Sequence, residues 1–181
     1  MKSFPVLLGV GFLALILQGA IARVIPPPWC PDLGWLVVVG LGLRWPRFFP
    51  GVIAAVILGY GMDLVSGSLM GQHALMRLLT YLAAALSARQ LDLSGGIPVS
   101  IFVFSATFVY GVVVVATLSF FVGAGGVDFR VLADALCHGF ANVIAAGPVI
   151  SIVERILFRL SDEEVGRRAP LSMGLHRGGL G

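Results

Sequence analysis

The sequence predicts an all-α integral membrane protein, a bundle of six transmembrane helices with five spans as the alternative. Three observations lead there. Apolar residues make up 58% of the 181 residues and charged residues only 12%, where a soluble domain carries about a quarter charged. Mean hydropathy is +0.99. Apolar runs reach the roughly 20 residues that cross a hydrocarbon core.

The first run, about 4–24, ends at Pro26-Pro27-Pro28, since consecutive prolines donate no helix hydrogen bonds. Lys2, the apolar run and Ala20-Ile21-Ala22 mimic a cleavable leader. The run exceeds a leader core of about 7–15 residues and more membrane segments follow, so it reads as a retained first helix. Trp29, Pro31 and Asp32 suit a loop at the membrane boundary. The second segment, 33–43, spans only about 16 Å as a helix, so it is a short or tilted span or a re-entrant one.

Arg44-Trp45-Pro46-Arg47 reads as a turn, followed by segment three at 48–65 and segment four at 72–88. A second turn covers Ser87–Ile97, segment five runs 98–122, an outer turn covers Gly123–Phe129, and segment six runs 131–158. Residues 1–160 thus form one polytopic membrane domain. The polar stretch 161–181 reads as a cytoplasmic tail, expected to be disordered.

Charge orients the bundle. Lys2, Arg44, Arg47, Arg89, Arg155, Arg159, Arg167, Arg168 and Arg177 fall on one side and Arg23 and Arg130 on the other, which puts the C-terminus in the cytoplasm. The count is the same if segment two fails to cross, so it leaves six spans and five both open. The net charge of +3 is a topology signal, without the basic stripe of a nucleic-acid binder.

Segment three holds the most readable pattern. Gly51, Ala55, Gly59 and Asp63 recur every fourth residue and share one helix face. Small residues at that spacing let helices approach closely, either within the chain or against a partner helix. Beyond it come Gly61, Gly67 and Gly71, then His73 and Arg77 on one face of segment four. A charge at membrane depth needs a partner, so Asp63 is expected to pair with Arg77 or His73. Pinning two helices together is the preferred role, with transport or catalysis as the sharper one. Ser66 and Ser68 read as caps of segment four rather than nucleophiles.

Segment six carries a polar stripe, Asp134, His138 and Asn142, expected to face the bundle interior or a wet cavity. It reads as a hydrogen-bonded seam, with a proton relay as the alternative. No phosphate-binding loop, H-E-x-x-H or G-x-S-x-G motif is present in the sequence. Cys30 and Cys137 match no disulfide or metal spacing. No catalytic residue, metal site or cofactor is therefore expected.

The opening Pro31-Asp32-Leu33 after a first span, and the stretch Gly59-Tyr60-Gly61-Met62-Asp63-Leu64-Val65-Ser66-Gly67-Ser68-Leu69-Met70-Gly71-Gln72-His73-Ala74-Leu75, resemble the MreD family of bacterial rod shape-determining proteins. Length and span order fit across nearly the whole chain. The resemblance implies a non-enzymatic scaffold of the cell-wall elongation machinery in the inner membrane. Its implied partners are the bitopic protein MreC most directly, then MreB filaments, RodA and a penicillin-binding transpeptidase. The family also looks similar in fold to the substrate-binding membrane subunits of energy-coupling-factor vitamin transporters, which favours six spans. It brings no catalytic residues. Taken literally, the transporter likeness gives the rival reading, a vitamin-binding subunit. The first segment has Gly11, Ala14, Gly19, Ala20 and Ala22 but no regular four-residue alanine series for an energising partner, so the scaffold is preferred.

Overall fold

Prolines and glycines set where each helix of the computed structural model begins and ends. The structure describes residues 3–67, 69–91, 96–123 and 128–168. Within them the chain is all-helical: α1 Ser3–Ile21, α2 Leu33–Arg44, α3 Phe48–Ser66, α4 Gln72–Gln90, α5 Gly96–Val122 and α6 Phe129–Arg168. Pro50 and Pro98 sit in the first turns of α3 and α5, where a backbone N–H has no intrahelical acceptor anyway. Gly67 and Gly71 turn the chain between α3 and α4 with φ of 64° and 90°, a left-handed backbone that side chains with a Cβ resist.

Helix α2 is the axis of the molecule. Every residue from Gly34 to Leu43 is buried, and α1, α3, α4 and α6 all pack on it. One side joins Leu7, Leu58, Tyr81 and Val153 through Val37, Val38 and Leu41. The other, through Trp35, Leu36, Val39 and Leu43, meets Ala84, Val103, Ala146 and Ile150. This explains a helix of 12 residues, about 18 Å long, in a chain of longer ones. A helix jacketed by protein has no lipid-facing length to match.

Four helices, α1, α3, α5 and α6, are long and apolar enough to cross a membrane. Helix α2 falls short in length. Helix α4 has 19 residues but carries Gln72, His73, Arg77, Arg89 and Gln90. Its polar residues at 72, 77 and 80 are buried, so they face protein rather than lipid.

The small-residue face of α3 lies against α4. Gly51, Ala55, Gly59 and Asp63 are all buried, and α3 and α4 form the most extensive helix pair. At Gly59 the backbones nearly touch: a Cβ there would fall 2.7 Å from the His73 carbonyl oxygen and 2.8 Å from the Ala74 nitrogen. Gly61 looks the other way, where a Cβ would meet Phe12 of α1 at 3.3 Å. The face is therefore a seam within the chain.

One expectation is corrected at the C-terminal end. Helix α6 runs on through Arg168, so the first part of the stretch expected to be a disordered tail is helical. Between Ser161 and Arg168 there is no proline, the next being Pro170, and these residues are compatible with a helix. The remainder of the tail (169–181), Ser68, and the centres of the turns at 92–95 and 124–127 lie outside the described residues.

Candidate functional site

A buried polar hub at the α2 N-terminus ties the six helices together. Asp32 begins it as the N-cap of α2, its Oδ1 accepting the Trp35 N–H at 2.8 Å. This satisfies an amide that the first helical turn leaves without a partner. The same carboxylate receives Nη2 of Arg77 at 3.0 and 3.2 Å. Nη1 of Arg77 donates to the Leu58 carbonyl of α3 at 3.1 Å. Arg77 is fully buried and the Asp32 side chain is 10% exposed. Gly34 makes room for the guanidinium, since a Cβ there would lie 3.0 Å from Nη1.

The other helices attach around this ion pair. Gln18 of α1 accepts the Gly34 N–H at 3.3 Å. Asn142 of α6 accepts the Asp32 N–H at 2.8 Å and donates to Thr107 of α5 at 3.2 Å. The Trp35 indole N–H donates to Thr80 of α4 at 3.1 Å, and its ring meets Tyr110 of α5 edge-on at 6.2 Å. Helices α4 and α5 scarcely touch along their lengths but are bridged by polar groups. His73 Nδ1 hydrogen-bonds the Tyr110 hydroxyl, with the rings stacked at 5.9 Å. Gln72 Nε2 donates to the Val114 carbonyl and to Thr117 Oγ1, each at 3.0 Å.

Asp63 has a different task. It is fully buried, and its carboxylate caps α4 with three bonds. Oδ1 accepts the His73 N–H at 2.8 Å, and Oδ2 accepts those of Gly71 and Ala74 at 3.0 and 3.2 Å. The negative charge also suits the positive end of the α4 dipole. The expected pairing is corrected accordingly: Arg77 takes Asp32 as its carboxylate, and Asp63 meets His73 through the main chain. The Gly67–Gly71 turn folds the start of α4 back onto Asp63, whereas Arg77 lies more than a turn deeper, level with the start of α2. Asp63 thus caps α4; of the two serines expected to do so, Ser68 lies outside the described residues.

The α6 stripe divides along its length. Asn142 is buried in the hub, His138 is half-buried with Nδ1 at 3.2 Å from the Pro28 carbonyl, and Asp134 is exposed. It pins α6 to the α1–α2 connection at two points, and Asp134 lies beyond the packed interior. Cys30, in that connection, is buried, and burial, then the Asp32 charge, pushes its thiol above the ordinary range. This keeps it protonated and unreactive at neutral pH. Among the described residues no three His, Cys, Asp or Glu side chains converge as metal ligands.

Sequence reasoning missed Gln18, Asp32, Thr80, Thr107 and Tyr110 as members of the hub. Gln18, Thr107 and Tyr110 did leave a signal, as polar groups inside otherwise apolar runs. Such groups seek hydrogen-bond partners in a medium without water. Chemically, the hub holds and aligns helices: its charges are paired and most of its donors are bound to named acceptors. Compared with protein-family models, with curated proteins and with solved structures, the chain matches none, and its functional reading rests on this geometry and the sequence resemblance.

Proposed function

We propose that the protein is a membrane scaffold subunit of the bacterial cell-wall elongation machinery, a member of the MreD family. In this reading it sits in the inner membrane, binds MreC and links MreB filaments to the RodA synthase and its penicillin-binding transpeptidase. One observation carries the proposal. The stretch that holds the resemblance, Gly59 to Leu75, joins the end of α3 to the start of α4, with Gly59 at their seam and Asp63 capping α4. Its distinctive residues fix the shape of the α3–α4 hairpin, as a scaffold requires.

The proposal includes six crossings and the transporter-like bundle that the family implies, with α2 crossing inside a jacket of the other helices and α4 keeping its buried polar residues toward them. It also takes the end of the bundle bearing Arg44, Arg47, Arg89, Arg155 and Arg159 as cytoplasmic, following the positive-inside rule.

Affinity purification of the tagged protein from its native membrane is the test. Recovery of a bitopic MreC and the elongation synthase is the expected result. Asp63→Asn should reduce that recovery at least severalfold at equal membrane abundance, because it weakens the cap that shapes the hairpin. Recovery of ATPase subunits with a transmembrane coupling protein would instead make the chain a vitamin transporter's substrate-binding component.

A further inference from the structure

Helices α4 and α5 run side by side without closing on each other. Gln72 and His73 bridge to α5 at the α4 N-terminus, and beyond those bonds the two helices hardly touch. The space left between them is a cleft. Its first part, about 420 Å³, lies among Leu69, Gln72, Leu75, Met76, Thr117 and Phe121. A second part, about 390 Å³, follows the pair as far as Ala83 and Phe102. Met76 and Val113 line both parts. Leu75, Leu79 and Val109 of its walls are each about half exposed, so the cleft opens sideways, toward lipid in a membrane. From Gln72 to Ala83 is about 16 Å of helix, roughly half the depth of a hydrocarbon core.

No charged side chain among the described residues lines either part. Of the charged groups packed at the start of α4, Asp63 caps that helix and Arg77 is bound to Asp32 and Leu58. The buried and half-buried hydroxyls of the lining are engaged. Thr80 donates to the Met76 carbonyl and accepts from Trp35, Tyr110 bonds His73, and Thr117 donates to the Val113 carbonyl. Gln72 is different. It is 9% exposed, and its Nε2 is held by Val114 and Thr117 while Oε1 is buried without a hydrogen bond. Turning the amide over does not relieve this, because the Val114 carbonyl only accepts. In hydrocarbon no water supplies the missing donor.

The size and chemistry of the cleft select its occupant. A helix as long as the α5 wall of the first part, Val113 to Phe121, fills roughly 900–1,400 Å³ with its side chains, more than twice the space there. A flexible chain fits instead. The uncharged walls exclude a phosphate headgroup, and the free acceptor calls for an O–H donor. We propose that the α4–α5 cleft binds an uncharged membrane amphiphile, a long-chain alcohol or acylglycerol, with its hydroxyl donating to Gln72 Oε1 and its hydrocarbon chain between Met76 and Val113. Apolar walls with a few placed polar groups are the usual make-up of small-molecule sites. The inference requires a membrane-embedded bundle but does not depend on a role in cell-wall synthesis.

Native mass spectrometry of the full-length protein in detergent, titrated with oleyl alcohol, oleyl methyl ether or oleyl phosphate, tests it. The ether keeps the chain and lacks the donor, so the alcohol should bind about fivefold more tightly, the worth of one neutral hydrogen bond. Gln72→Leu should erase that preference. Val113→Trp, which fills the junction of the two parts, should lose both ligands, while Ile101→Trp, on the exposed side of α5, should keep them. No binding of the alcohol, equal binding of alcohol and ether by the wild type, tighter binding of oleyl phosphate, or retention by Val113→Trp would each overturn the proposal. Should the variants fail to fold, photo-crosslinking of the wild-type protein with a diazirine in the oleyl chain replaces them. Labels at residues 69–79 or 105–121 support the cleft, and labels confined elsewhere overturn it. Capture of a second polypeptide by a photoreactive residue at Val109 in the native membrane would give the cleft to a partner helix and overturn it too.

Discussion

Replacing Arg77 with methionine is expected to destabilise the folded bundle by about 3–5 kcal/mol, because it leaves the Asp32 carboxylate buried without its counter-charge. The pair is enclosed, with Arg77 fully buried and the Asp32 side chain 10% exposed, so water cannot replace the lost partner. The Leu58 carbonyl also loses the donor it has at 3.1 Å. Asp32→Asn should be similarly severe, since it leaves a guanidinium in an apolar interior. The double variant Asp32→Asn/Arg77→Met should recover much of either loss, as an uncharged pair of similar volume often does. Arg77→Lys should restore little, because a single ammonium cannot serve Asp32 and Leu58 with the same fork. Thermal unfolding in detergent measures all four variants. Single variants that unfold with the wild type would remove the ion pair from its structural role.

Gly59→Val is expected to part the α3–α4 hairpin. The new Cβ would meet main-chain atoms of His73 and Ala74 at 2.7 and 2.8 Å, and main-chain atoms cannot rotate aside as a flexible side chain can. Overpacking of this kind costs about 1–3 kcal/mol. Separation of the helices also draws Asp63 away from the amides it caps, at about 1 kcal/mol more. Gly9→Ala provides the contrast, since nothing lies within 4 Å of the Cβ position there; it should be neutral or slightly stabilising. Equal unfolding temperatures for Gly59→Val and Gly9→Ala would show that the seam tolerates separation.

Much of this architecture is legible in the sequence because bilayer physics writes it plainly. Apolar run lengths and the prolines at 26–28 and 46 place the helices to within a few residues of their observed limits, apart from the C-terminal end of α6, which runs ten residues further than the apolar run. The four-residue spacing of Gly51, Ala55, Gly59 and Asp63 identifies a close-packed helix face, and that face is the α3–α4 seam. The partner of Arg77 is not legible. Asp63 is the nearer carboxylate along the chain, while Asp32 lies 45 residues away and reaches Arg77 only because α2 sits between its neighbours in the bundle. Which helix lies at the centre depends on how all six pack, and no local pattern in α2 records it. The regular spacing of the α6 stripe does not distinguish its members. Only the packing shows that Asn142 is inside and Asp134 is beyond the interior.

The most direct measurement of the central claim is cell shape after depletion of the protein from the cells that make it. A scaffold of lateral wall synthesis predicts that rod-shaped cells widen and round as the protein is lost, and that the wild-type chain restores the rod while Gly59→Val does not. Cells that keep their rod shape on depletion but lose uptake of a vitamin would contradict the scaffold and favour a transporter subunit.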